Sequence, residues 1–155
     1  MSEPATPVLP PAPRPQGSYV PAVVVDGIAH SAGMTPRRDG ELVVRGVVGA
    51  DVALEEAAAA AGLAAANALS AIAAAAGGID RVRRLVRMTV YVACSAGFTA
   101  LSAVADGASA ELARHVGAGG LPARTAVGVW RLPGGAPVEV ELTASVHPGA
   151  PGSGR

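Results

Sequence analysis

The stretch "LPARTAVGVWRLPGGAPVEVEL", residues 121–142, sets two apolar, β-rich runs on either side of a Pro-Gly-Gly turn. In the second run, continued to residue 146, Val138, Val140, Leu142, Ala144 and Val146 alternate with Glu139, Glu141, Thr143 and Ser145. Such alternation predicts a strand with one buried and one wet face. The first run opens on Arg124, its approach restricted by Pro122. The "LPGGAP" turn predicts that the two strands are antiparallel neighbours. That would set a permanently charged, planar guanidinium, suited to two-bond carboxylate recognition, beside the glutamates of the next strand. Spacing alone favours a surface arginine and a solvated strand face; the proline, the planar guanidinium and the turn argue the other way.

Working outward, "YVPAVVVDG" (19–27) reads as a strand ending in an Asp-Gly turn, with "IAHSAG" (28–33) as its hairpin partner. "ELVVRG" (41–46) reads as a short strand. Residues 57–76 run for twenty positions without a charge, a bilayer-spanning length. Alanine, however, is barely apolar and is the best helix former, and Asn67 and Ser70 interrupt the run. The reading is a helix packed inside a domain and no membrane segment. Asp51 is the expected cap, Glu55 and Glu56 suit the positive end, and Gly77-Gly78 stops it. Ala65, Leu69, Ile72, Ala73 and Ala76 share one face, small enough to lie close on a sheet.

"RLVRMTVYVA" (84–93) is β-rich, with Met88, Val90 and Val92 on one face and Thr89 and Tyr91 on the other. "GFTALSAVADGASAELARHVG" (97–117) places Phe98, Leu101, Val104, Ala108 and Leu112 at helical spacing. The order of two or three strands, helix, strand, helix, two strands describes an α+β fold, a mixed sheet with both helices on one face. One domain is expected over 18–147. The proline-crowded residues 1–17 and the "PGAPGSGR" end, 148–155, read as disordered tails.

Composition narrows the function. Twelve basic and twelve acidic residues leave no net charge, and aromatics are 3% of the chain. Neither a basic surface nor a stock of stacking rings is on hand for nucleic acid. His30, His115, His147 and Cys94 show no metal-ligand spacing. "GAGG" (117–120) lacks the flanking residues of a phosphate loop. No cofactor is implied. A lone cysteine leans toward a reducing compartment, hence the cytoplasm.

On these residues the chain resembles the RidA/YjgF family, also called the endoribonuclease L-PSP proteins, from about Tyr19 to Val146. "PARTAVGVWRLPGGAPVEVEL" looks like the family signature of Pro-x-Arg-Ser/Thr, a short apolar strand, Leu-Pro, a turn and alternating Val/Ile-Glu. "YVPAVVVDG", "SAGMTP" and "GIDRVRRLVRMTVYVA" match other blocks in order. "GADVALEEAAAAAGLAAANALSAI" looks like a branch with a longer lead into the first helix. The resemblance implies a chorismate-mutase-like fold, a homotrimer with sites between subunits, and hydrolysis of reactive enamines and imines to 2-keto acids and ammonia. It implies Arg124 as the substrate-carboxylate clamp, Glu139 as the water-positioning residue, Tyr19 as a cleft tyrosine and Gly33 as a pocket-lining glycine. The backbone of Ala126 would line the pocket too.

There are departures. Thr125-Ala126 stands where the best-known members have Ser-Cys, Ala32 where many have Ser, and Met34 where Gln is common. They leave the pocket more apolar, with Ser31 as the neighbouring hydroxyl. Two alternatives stand beside imine hydrolysis: recruitment of the fold to a specialised biosynthetic step on an imine, and a ligand-binding or chaperone-like protein without turnover.

Overall fold

The computed structural model describes residue 5 and residues 7–148. Its strands are β1 (Ala22–Val25), β2 (Ile28–Ser31), β3 (Arg37–Arg38), β4 (Glu41–Leu42), β5 (Val82–Ala93), β6 (Ala123–Val129) and β7 (Val138–Val146). Its helices are α1 (Leu54–Ala76) and α2 (Leu101–Val116). The order across the main sheet is β1-β2-β7-β5-β6, so the alternating strand β7 lies at its centre. Val138, Val140, Leu142 and Ala144 of β7 are buried at 2% exposure or less, as are Met88, Val90 and Val92 of β5. Both helices cover that face, giving the α+β arrangement of a mixed sheet with two helices on one side.

Strand order departs from the expectation in one decisive place. β6 and β7 are not neighbours, because β5 lies between them. β6 runs parallel to β5, with Met88 opposite Arg124 and Val90 opposite Ala126. β7 runs antiparallel on the other edge of β5, with Tyr91 opposite Glu139 and Thr89 opposite Glu141. The cause is α2. A helix between two strands returns the chain to the same end of the sheet, which makes a parallel pair and removes the hairpin option. The Gly134-Gly135 turn, with φ of 68° and 78°, then carries the chain over the end of β5 instead of reversing it beside β6.

The two short hairpins follow local chemistry. Asp26-Gly27 (φ 49° and 77°) and Asp39-Gly40 (φ 53° and 82°) supply the left-handed pair that a two-residue hairpin needs. The first joins β1 to β2. The second joins β3 to β4 as a separate ribbon, so only Glu41 and Leu42 of the "ELVVRG" stretch form a strand, and outside the main sheet.

Helix α1 is lined by buried alanines (Ala57, Ala60, Ala61, Ala64, Ala65, Ala68) with Leu69 and Ile72 as its large contacts. Small residues also bring the helices together. A Cβ on Gly107 would stand 2.0 Å from the carbonyl oxygen of Ala58. The helix stops as expected: Gly77 takes φ 97°, and Gly77 and Gly78 donate to the Ala73 carbonyl at 3.0 and 2.8 Å. Its start is different. Ala53 holds the cap position, and Glu56 accepts from the Ala53 N–H at 3.4 Å. Asp51 instead accepts from the Val47 N–H at 3.0 Å, closing the turn before the helix, because Ala53 rather than Asp51 precedes the first helical residue.

The expected tail at 1–17 also needs correction. Leu9 packs against the core, and the Ser70 hydroxyl, on a residue 5% exposed, donates to the Pro10 carbonyl at 2.6 Å. A buried hydroxyl needs an acceptor, and a proline carbonyl supplies one while the ring donates nothing in competition. The segment therefore straps across α1. Residues 1–4 and 6 of the first expected tail, and 149–155 of the second, lie outside the described residues.

Candidate functional site

β7 aims Val138, Val140, Leu142 and Ala144 at the helices, so Glu139, Glu141 and Thr143 stand on the face the helices leave open. β5 contributes Arg87, Thr89 and Tyr91 to the same face by register. The Tyr91 hydroxyl donates to Glu141 Oε1 at 2.8 Å. Arg87 donates to the Thr125 hydroxyl. A depression of about 290 Å³ is lined by His30, Ser31, Arg87, Thr89, Glu141 and Thr143, among others.

Beside it the β2 end is irregular. His30 pairs with Thr143, whereas Met34 bridges to Val140, so one extra residue is inserted between. Met34 and Val140 exchange backbone bonds of 2.8 and 2.9 Å. Within the bulge the Ser31 hydroxyl accepts from the Leu142 N–H at 2.9 Å, replacing the missing ladder bond. Ser31 is thus committed to the backbone. Gly33 gives the site its shape: a Cβ there would meet Glu139 Oε1 at 1.7 Å and Cδ at 2.6 Å. Glycine leaves room for the Glu139 side chain to fold over the bulge.

The Glu139 carboxyl titrates above the ordinary glutamate range, first because burial disfavours its charge and second because Glu141 lies nearby. The Tyr91 hydroxyl is likewise raised, chiefly by its hydrogen bond to Glu141. A half-buried carboxyl with raised pKa beside a bulged strand can hold a water and exchange a proton with it.

Arg124 is elsewhere. Opposite Met88, it points to the helix face. Its Nη1 donates to Asp106 Oδ1 at 2.8 Å and Ser109 Oγ at 2.9 Å, and its Nη2 to Ser102 Oγ at 2.7 Å. Residues 102, 106 and 109 form one stripe of α2, which the turn at Gly117–Gly120 lays over β6. That stripe was legible in "LSAVADGASAEL" as Ser-x3-Asp-x2-Ser. Ala126, on the same face as Arg124, packs partly buried against the core.

Within one chain the residues singled out therefore fall into two groups. Gly33 and Glu139 meet on the open face. Arg124 and Ala126 lie on the other side, one strand beyond β5. Tyr19 joins neither by contact: it is 44% exposed, and its hydroxyl accepts from the Gln16 N–H at 3.0 Å. The segment just after it does reach the bulge, where the Pro21 carbonyl accepts from the Ala32 N–H at 2.7 Å. Sequence reasoning passed over Arg87, whose alternation with Met88 in β5 marks it as an open-face cation. Among the described residues no three of His, Cys, Asp and Glu come together as metal ligands.

The family model described as Endoribonuclease L-PSP matches residues 10–146. Protein TCP17 of Trypanosoma cruzi is 40% identical over 147 residues, covering 90% of this chain and 88% of that one. The crystal structure of the protein Atu1372 from Agrobacterium tumefaciens is similar with a TM-score of 0.81 at 34% identity, over 86% of this chain and 85% of that one. The structure of the YjgF gene product of Escherichia coli superposes with a TM-score of 0.62 at 28% identity, over 86% and 92%.

Proposed function

The chain belongs to the endoribonuclease L-PSP family, the RidA/YjgF proteins, and from that premise we propose that it hydrolyses reactive 2-imino acids and their enamines to 2-keto acids and ammonia. The observation that carries the reading is the Glu139 carboxyl, half-buried over Gly33 with its pKa raised. Ionised, it takes one proton from a bound water as the oxygen bonds to the imine carbon, and passes that proton to the nitrogen, giving a carbinolamine. It then takes the remaining hydroxyl proton and passes it to the amine as the C=O bond forms, the C–N bond breaks, and ammonia leaves. An imine carbon is already electrophilic, so positioning does most of the work.

Arg124 would clamp the substrate carboxylate. Because Arg124 and Glu139 face opposite sides of one sheet, this chemistry requires Arg124 from one protomer and Glu139 from a neighbour, and we propose a cytoplasmic homotrimer with three such clefts. The neutral charge and scarce aromatics favour this over cleavage of RNA.

A second reading rests on the bonds Arg124 already makes. A guanidinium held by Ser102, Asp106 and Ser109 can act as a staple between β6 and α2, leaving a ligand-binding protein or a pathway-specific enzyme. An ammonia-release assay with imino acids generated in situ by an amino-acid oxidase separates them. Hydrolysis predicts release above the uncatalysed rate, reduced in Arg124→Ala by about 30- to 5,000-fold, the equivalent of a lost charge-assisted pair of about 2–5 kcal/mol. The second reading predicts no release above the uncatalysed rate by the wild type, and only a lower melting temperature in Arg124→Ala.

A further inference from the structure

The proline-rich strap does more than lie on α1. Between it and the β3–β4 ribbon is a cavity of about 460 Å³, lined by Pro10–Pro13, Arg14, Gln16, Arg37–Gly40 and Asn67. Its volume falls within the range of small-molecule sites. It belongs to neither group of residues described above.

Its charge is unbalanced. Three arginines, Arg14, Arg37 and Arg38, line it against a single acid, Asp39. None of the three has a carboxylate partner within ion-pair distance among the described residues. Arg37 is partly engaged, donating to the Gly40 carbonyl at 2.7 Å and to Thr35 Oγ1 at 3.2 Å. No hydrogen bond to another described group holds the guanidinium of Arg14 or Arg38.

Asn67 is the second observation. It is 4% exposed, and its Nδ2 donates to the Thr35 and Arg37 carbonyls at 3.2 and 2.9 Å. Two carbonyl acceptors on one side fix which end of the amide is nitrogen. The Oδ1 is then the free end, and no donor among the described residues reaches it. No buried side-chain oxygen or nitrogen among the described residues lacks a partner, so this oxygen is the accessible end of a largely buried amide that lines the cavity, and it can accept from an N–H or O–H brought into it.

We propose that this cavity binds a small organic carboxylate with a neighbouring N–H or O–H donor. Arg14 and Arg38 hold the acidic group, Asn67 Oδ1 accepts from the donor, and the rings of Pro10, Pro11 and Pro13 pack against the apolar part. The strap is anchored for this role by Leu9 in the core and by the Ser70 bond to Pro10.

The probe is 2-aminobenzoate, which carries a carboxylate, an adjacent amine and a flat apolar ring, and whose fluorescence reports its own binding. Titrated with the full chain, it binds saturably. The double variant Arg14→Ala/Arg38→Ala weakens it by about tenfold or more. Both side chains are exposed, so the fold is not at risk. Arg124→Ala and Glu139→Gln leave the affinity unchanged, which keeps this site separate from the proposed hydrolytic one. Benzoate, lacking the amine, binds less tightly to the wild type. No saturation by about 10 mM, or equal affinity in the double variant, overturns the site. Loss on Arg124→Ala does so too, by placing the probe in the other cleft. Equal binding of benzoate overturns the part assigned to Asn67.

Discussion

The Glu139 carboxylate fills the space that any side chain at residue 33 would need, its Oε1 lying 1.7 Å from where a Cβ on Gly33 would stand. The obstructed group is the end of a flexible side chain, so it can swing away. Gly33→Ala is therefore expected to change stability little, within about 1 kcal/mol, yet to displace the carboxylate from the bulge. Its signature is a fall of about tenfold or more in kcat with the melting temperature nearly unchanged. A full-rate Gly33→Ala enzyme would separate Glu139's position from turnover.

The raised pKa of Glu139 sets a pH dependence of two kinds. Between the ordinary glutamate pKa of the unfolded chain and the raised folded value, the folded state holds more proton than the unfolded one, so stability falls as pH rises through that window. Above it the charged, partly buried carboxylate is a fixed penalty. Glu139→Gln should raise the melting temperature at neutral pH and remove this part of the slope. For the proposed hydrolysis the sign is reversed, since the ionised form would be the base: the acid limb of kcat/KM should lie above the ordinary glutamate range. Glu141→Gln removes the second cause and should move that limb to lower pH. A limb that stays in place in Glu141→Gln, measured across pH 4–9, would leave burial as the cause of the shift, and a limb that survives in Glu139→Gln would exclude Glu139 as the titrating group.

The strap predicts a consequence for truncation. Removing residues 1–15 takes Leu9 from the core and the Pro10 acceptor from Ser70. The expected loss is about 1–3 kcal/mol, read as a lower melting temperature or urea midpoint. A truncated chain as stable as the full one would mean that the strap adds nothing to folding.

Gly107 faces backbone rather than a movable side chain, with the Ala58 carbonyl oxygen 2.0 Å from the Cβ position. Gly107→Ala must push α1 and α2 apart, a loss of about 3 kcal/mol. Gly97→Ala, with nothing within 4 Å, is the matched control and should be near neutral.

The local pattern made much of the fold legible. The alternation from Val138 to Val146, the alanine run ended by Gly77, and the Asp26-Gly27 hairpin each state their structure within a few residues. What failed were readings in which a local signal competes with a distant one. The Gly134-Gly135 turn looks like a hairpin, but α2 had already committed β6 to the parallel edge of β5. Asp51 is a good cap residue whose carboxylate is taken by Val47. The strap carries too little apolar surface to announce itself, and its anchor, Ser70, is sixty residues away. At the site, the resemblance gives Glu139 and Gly33 separate parts in one pocket, and their contact follows from a one-residue bulge that no spacing reveals. Arg124 was read correctly as a strand-opening residue, while its face depended on the strand order.

A site shared between protomers makes a demand that mixing subunits can test. Arg124→Ala chains keep Glu139, and Glu139→Gln chains keep Arg124. Each alone should be nearly inactive in ammonia release. Unfolded and reassembled together in equal amounts as trimers, they should recover about a quarter of wild-type activity, because about one cleft in four then receives both native residues. Mixed trimers, verified by mass, that stay as inactive as either parent would contradict a composite cleft.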